Sequence, residues 1–282
     1  MIRRLITRPP PPFHLEPSRG KVRFTFMGTA GFVVQGQSRT FVLDPYVSRA
    51  GLWRTLLGRL PVDEERVRRY FPAADEVLVG HSHYDHALDA CAVASHTGAR
   101  VLGSEDTRHI AAAAGFDLSR YVTAGLREPI ACGAAHATAW PSRHGKAIFG
   151  RIPFPGRLTA PPPWPPRIGD LPHGQVLHWH LELDGVRILH IDSADYFEDE
   201  LAPADVLLLC AVGRHYRQDY TRNLLERVRP RVVIPCHWDD FSVPIEAPPR
   251  QLPGVDVEGF VEEIRAGGAE PVVLAPLQSW WG

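Results

Sequence analysis

The feature that most restricts this chain is a compact apolar run, Glu76-Val77-Leu78-Val79, which leads after one glycine into His81-Ser82-His83-Tyr84-Asp85-His86. The run has the composition of a strand buried on both faces. Four groups able to bind a metal then follow within six residues. In an extended segment His81 and His83 project to the same side, so two imidazoles can grip one ion. The turn that follows can direct Asp85 and His86 toward a second. A buried strand must therefore end at a polar edge built to hold ions.

Short strands precede it. Val22-Arg23-Phe24-Thr25-Phe26 alternates, Gly28 and Gly31 punctuate the chain, and Phe32-Val33-Val34 and Thr40-Phe41-Val42-Leu43 flank a Gly36-Gln37 turn. The meander stops at Asp44-Pro45, because proline cannot donate to a central ladder, which puts Asp44 at a strand terminus. Further segments read as helix at 64–70, 87–96, 107–114 and 220–228. Others read as strand at 101–102, 135–140, 175–183, 187–191, 206–209 and 231–234. This mixture predicts one layered α/β domain over residues 21–282. Residues 1–20, rich in proline and arginine, read as an arm that lies on the domain or is disordered. An insertion at 152–174 contains Pro161-Pro162-Pro163 and Pro165-Pro166 around Trp164, and neither helix nor central strand accommodates it. Its neighbourhood supplies Phe149, Phe154 and Trp164, which suit an apolar lip over a pocket.

Composition narrows the partners. With 282 residues, 44% of them hydrophobic, the chain can bury a sizeable core. A formal charge of -1 creates no field that would gather polyanions, so no nucleic-acid partner is expected. Of 31 basic residues only Lys21 and Lys146 are lysine, the mark of a GC-rich coding sequence, and a bacterial source is expected. Cys91, Cys132, Cys210 and Cys236 are too dispersed for a disulfide framework, which suits reduced thiols in a cytoplasm. Proline interrupts the N-terminus before an apolar signal segment forms, and no apolar run approaches the roughly 18 residues of a membrane span.

His-x-His-x-Asp-His after an apolar strand resembles the metal motif of the metallo-β-lactamase fold superfamily. That family adds a third histidine, an aspartate and a final histidine, each at a strand end. Pro141-Ser142-Arg143-His144-Gly145 resembles the first of these. His136 competes for the role, but it lies within the predicted strand whereas His144 falls in the loop at its end. Arg187-Ile188-Leu189-His190-Ile191-Asp192-Ser193 resembles the strand ending in the aspartate, with isoleucine where the family has glycine and Asp195 as the alternative. Val232-Val233-Ile234-Pro235-Cys236-His237-Trp238 resembles the closing strand. It is most similar to the branch containing ascorbate-6-phosphate lactonases and N-acyl phosphatidylethanolamine phospholipases. Gly28-Thr29-Ala30-Gly31 and Asp44-Pro45-Tyr46 match the same branch, although many of its members carry histidine where Thr29 stands.

The resemblance implies a four-layer αββα sandwich, two mixed β-sheets with helices outside. It implies that His81, His83 and His144 hold a first metal, Asp85, His86 and His237 a second, and that Asp192 bridges them. A ligand set of imidazole and carboxylate suits zinc, with manganese or iron as alternatives. A water shared by two ions becomes a bridging hydroxide near neutral pH, able to attack a phosphodiester, a lactone or another ester of a small or lipid-like substrate. Asp85 doubles as the group that orients it, and Asp44 is a candidate partner fixing an imidazole. In the family the loop after Val206-Leu207-Leu208-Leu209 borders the active site. There Arg214 is a candidate anion holder, and His215 and Tyr216 are candidates to protonate a leaving group and bind substrate. Trp238 is expected to shape the pocket beside the last ligand, and Trp164 to cover it. His178 and His180 alternate with apolar residues and read as structural. Two alternatives share the scaffold: a mononuclear iron dioxygenase and a non-catalytic metal-binding module.

Overall fold

Which way each strand's side chains point decides how the layers stack. The computed structural model describes residues 8–9, 12–13, 19–147 and 149–282, so most of the N-terminal arm lies outside the described residues. In chain order the elements begin with β1 (Arg23–Gly28), β2 (Gly31–Gln35), β3 (Thr40–Leu43), α1 (Leu52–Leu57), α2 (Glu64–Tyr70) and β4 (Glu76–Leu78). They continue with α3 (Tyr84–Ala87), α4 (Ala90–Thr97), β5 (Arg100–Gly103), α5 (Glu105–Ala113), β6 (Tyr121–Thr123), β7 (Pro129–Cys132) and β8 (Ala135–Arg143). After the proline-rich insertion come β9 (Leu177–Leu183), β10 (Val186–Ile191), β11 (Asp195–Tyr196), β12 (Val206–Cys210), α6 (Tyr220–Val228) and β13 (Val232–Cys236). The chain closes with α7 (Val257–Ala266), β14 (Glu270–Pro271) and β15 (Ser279–Trp281).

The first sheet runs β15-β1-β2-β3-β4-β5-β6, antiparallel as far as β3 and parallel from β3 to β6. The second runs β11-β8-β9-β10-β12-β13-β14, with β7 beside β8. It too is antiparallel as far as β10 and parallel beyond. Inward residues of the first sheet (Phe24, Phe26, Phe32, Leu43, Leu78) share one buried cluster with Ala137, Trp179, Leu181 and Ile188 of the second. Alternation sends Val42, Val77 and Val101 to the opposite face, where Val67 of α2, Val93 of α4 and Ile110 of α5 cover them. On the far side Leu224 of α6 and Phe260 of α7 join the core. The result is the αββα sandwich that the sequence implied. Each fully buried leucine or phenylalanine contributes about 1.5–3 kcal/mol, and the helices cover the parallel part of each sheet, whereas His136, Glu182 and Arg187 on the antiparallel strands stay exposed.

Local chemistry sets several boundaries. Asp63 accepts from Arg66 N at 3.1 Å at the start of α2, with Glu64 and Glu65 in its first turn and Arg68 and Arg69 in its last, in line with the helix dipole. The range 64–70 agrees with the sequence reading. The helix expected over 87–96 is instead two, α3 and α4, so His86 sits on a helical turn. The sequence reading assigned neither α1 nor α7. α1 is only six residues long, with Trp53 and Leu57 73% and 71% exposed, so it shows no long amphipathic stripe to detect. The arm touches the domain at its described residues: Gln251 donates to Arg8 O and Pro9 O, and Phe13 lies 6.0 Å from the Trp238 ring. All four cysteines are free and buried, and no helix among the described residues is long and apolar enough to cross a membrane.

Candidate metal centre

The seven candidate ligands leave strand ends along one edge of the sandwich. β4 runs through Val79 and Gly80 to His81; β8 ends one residue before His144, β10 one before Asp192, and β13 one before His237. His83 is the N-cap of α3, whose first turn turns Asp85 and His86 inward. The backbone at Gly80 must pass close to Asp192. A Cβ there would meet Asp192 Oδ2 at 2.1 Å, which explains why a glycine joins the buried strand to the histidines.

Three groups of ligand atoms result, each within 4.8 Å of one another: His81, His83 and His144; Asp85, His86 and His237; and His81, His86 and Asp192. Asp192 thus joins one histidine from each of the other two groups. His81 Nδ1 faces Asp192 Oδ2 at 2.6 Å, and its Nε2 lies 3.0 Å from His83 Nδ1. His86 Nδ1 faces Asp44 Oδ2 at 3.0 Å, while its Nε2 and that of His237 lie 3.8 and 3.4 Å from Asp85 Oδ2. Asp44 also accepts from Gly80 N at 2.7 Å, so one carboxylate fixes both the backbone before the motif and an imidazole within it. His136 is exposed on β8, and Asp195 is held by Arg217, so neither alternative reaches the cluster.

Burial shapes the electrostatics. It pushes the His81 and His83 imidazoles down to about 3, and those of His86 and His144 well below their usual value, keeping all four neutral. Burial alone would raise Asp85, but its hydrogen bond to His237 and the surrounding imidazoles hold it at about 2. Asp44 and Asp192 are both raised, by burial first, and Asp44 further by the neighbouring Asp192 charge. Neutral imidazoles and an ionised carboxylate are the states a divalent cation needs. His83 Nε2 and His237 Nδ1 are buried without a hydrogen-bond partner, a costly arrangement in a closed protein that a bound ion relieves. The donor set therefore fits a metal.

Above the ligands lies a cavity of about 380 Å³, lined mainly by apolar groups including Leu52, Leu56, Phe154, Phe241 and Leu252. Of these, only Phe154 was foreseen; Phe241 and Leu252 sit in loops, and Leu52 and Leu56 belong to α1, whose six residues are too few for a periodicity to stand out. Phe149 stands farther out, 93% exposed. Trp164 does not cover the cavity. It packs on the Tyr46, Leu60 and Leu88 cluster, where it completes their burial. Trp238 is fully buried against Phe26, ring centroids 6.0 Å apart, because positive φ at His237 turns the next residue inward. Arg214 is likewise buried away from the cavity, stacked on Phe260 and paired with Glu263 at 3.3 Å. His215 and Tyr216 are exposed and do not line it. Gly213, with φ of 81°, starts a 3-10 turn that aims these three residues elsewhere. His178 is structural, bonded to Glu200 O at 2.8 Å, though buried rather than solvated.

Sequence reading missed His173, whose ring lies 5.6 Å from that of His144 and 6.1 Å from that of His83. It also missed the buried Arg49–Asp239 pair at 2.7 Å. Asp239 accepts from Thr29 N, and Thr29 O accepts from His237 N, so the pair braces the last candidate ligand. Gly28 makes room for it, since a Cβ there would overlap the Arg49 guanidinium.

Fold and site together define a metal-dependent hydrolase of the metallo-β-lactamase type. A family model described as beta-lactamase superfamily domain matches residues 23–237, and the chain belongs to that family. A UPF0173 metal-dependent hydrolase of Archaeoglobus fulgidus is 26% identical over 92% of this chain and 98% of its own. One of Anaeromyxobacter dehalogenans is 29% identical over 92% and 86%. Among solved structures, the metallo hydrolase Igni18 of Ignicoccus hospitalis superposes with a TM-score of 0.58 at 19% identity, covering 92% of this chain and 97% of that one.

Proposed function

We propose that the seven ligands hold two divalent ions, zinc before manganese or iron, and that the protein hydrolyses a neutral ester or lactone of a small or lipid-like molecule. The observation that carries this reading is the junction of two three-ligand groups through Asp192, at the floor of a mainly apolar cavity. His81, His83 and His144 form one holding group, Asp85, His86 and His237 the other. Ions held there supply a water activated near neutral pH and positive charge for a developing oxyanion. The chain's own residues do the positioning. Asp44 and Asp192 orient His86 and His81, while Asp85, kept ionised, is placed to accept a hydrogen bond from the attacking water and orient it. Among the described residues no arginine or lysine lines the cavity, which favours a neutral ester over a phosphodiester. Four free buried thiols support a reducing, cytoplasmic setting.

The test is metal content of protein purified without added metal, together with turnover of aryl esters, lactones and a bis-aryl phosphate. Zinc with ester or lactone turnover, lost in His81→Ala, is expected. Iron with oxygen consumption overturns the reading in favour of a mono-iron dioxygenase. Metal-loaded protein that turns over nothing returns it to a binding module.

A further inference from the structure

The mouth of the cavity is bordered by two segments that share an unusual composition. Residues 45–62 and 129–169 contain no aspartate or glutamate, although the chain as a whole carries 32. The first includes α1, where Trp53, Leu56 and Leu57 recur at helical spacing and are 73%, 53% and 71% exposed, beside exposed Arg54 and Arg59. The second carries Phe149, 93% exposed, and Ile152, beside exposed Lys146 and Arg151. Both reach the same opening: Leu52 and Leu56 line the cavity from one side, Pro153 and Phe154 from the other. They are also tied together. Leu60 N donates to Pro166 O at 2.7 Å, Arg59 to Pro165 O at 2.6 Å, and Arg167 to Leu57 O at 3.3 Å.

We propose that this face docks on an anionic lipid bilayer, bringing the cavity mouth against the surface. A soluble protein does not leave tryptophan, leucine and phenylalanine tips this exposed around one opening without use. Aromatic and aliphatic tips flanked by arginine, with no acidic residue among them, are the chemistry of an interfacial anchor, which buries the tips below the headgroups while the cations meet lipid phosphate. A second copy of the chain is the poorer occupant. A two-fold pairing would set one acid-free basic rim against another, with like charges opposed. A nucleic acid would match the charge but leave the apolar tips uncovered. The docking stands on this surface alone and does not depend on the hydrolytic reading.

The experiment is co-sedimentation of the intact chain with vesicles of phosphatidylcholine, alone and with phosphatidylglycerol added, read beside light scattering of the free protein. Partitioning is expected to favour the anionic vesicles by about tenfold or more and to weaken in high salt, each exposed arginine contributing about fivefold. Trp53→Ser with Leu57→Ser is expected to lower binding about tenfold or more, and Arg54→Ser to reduce only the anionic preference. Phe149→Ser on the opposite lip provides the same readout should the α1 variant fail to fold. Absence of binding to both vesicles overturns the proposal. So does a dimer in light scattering that the Trp53 and Leu57 substitutions dissociate.

Discussion

The two halves of this molecule share a plan and divide the chemistry unequally. In each, three antiparallel strands lead into three parallel ones: β1 to β6 in the first half, and β8, β9, β10, β12, β13 and β14 in the second. An aspartate follows the third strand in both, Asp44 after β3 and Asp192 after β10, and the two are buried neighbours across the seam, each raised first by burial. The next strand separates them. After β4 the first half places five polar side chains of the His-x-His-x-Asp-His stretch in a buried cluster, whereas after β12 the second half turns at Gly213 and sends Arg214 into the outer layer and His215 to the surface. At the strand after that the roles reverse. β13 delivers the candidate ligand His237, while β5 leads to Asp106, which joins no candidate metal group among the described residues. Asp106 instead accepts from Arg157 Nε, Leu158 N and Gln175 N at 2.7–3.0 Å, fastening the proline-rich insertion near both ends. Equivalent strand ends thus offer equivalent places, and the residue that happens to stand there decides between ion, clamp and ion pair.

The largest test of this division is His81→Ala. It removes a candidate ligand common to two of the three groups, and kcat/KM is expected to fall by about a thousandfold or more, with metal lost on elemental analysis. Full metal and full rate in that variant would break the claim that the first half carries the centre. Next come the paired aspartates. Asp192→Asn, altering a ligand, is expected to cost more than Asp44→Asn, for which metal affinity should fall by about 10–100-fold. A reversed order in metal titrations would exchange their roles.

How much of this was legible follows from the same comparison. Each candidate ligand stands at or just past the end of an apolar run, and such runs announce buried strands; that the motif and its three distant partners would come together was therefore readable in one dimension. Direction after a turn was not. Positive φ at Gly213 and His237 sent Arg214 outward and Trp238 inward, and nothing in residue type separates those outcomes from the opposite ones. Trp164 failed for a different reason. Its proline neighbours signal irregular backbone but carry no information on which cluster the indole will complete. The helix α1 hid because its six residues are too few for a helical period to stand out.

A smaller effect tests the clamp. Asp106→Ala leaves Arg157 and two backbone amides without their acceptor, and a loss of about 1–3 kcal/mol in thermal or denaturant unfolding is expected. The clamp is also sensitive to pH. Burial would raise Asp106, but the Arg157 hydrogen bond and the two amides hold it below the usual carboxylate value. Its stabilisation is therefore present above the unfolded pKa of about 3.9 and lost as pH falls through the lower folded value. Melting curves of the parent chain should show a steeper acid decline than those of Asp106→Asn; parallel curves would remove the clamp from the account. Smallest of all, His215→Ala should leave kcat/KM within about twofold, since the ring lies outside the cavity. A tenfold loss would restore it as a proton donor.

The close passage of Gly80 beside Asp192 has a consequence for how far either half can drift. Outer strands such as β6 and β14 pair with only one neighbouring strand each among the described residues. At the seam a single methyl group already exceeds the available clearance. Any side chain at that position would have to displace the Asp192 carboxylate, so the space one half leaves free is set by a candidate ligand of the other.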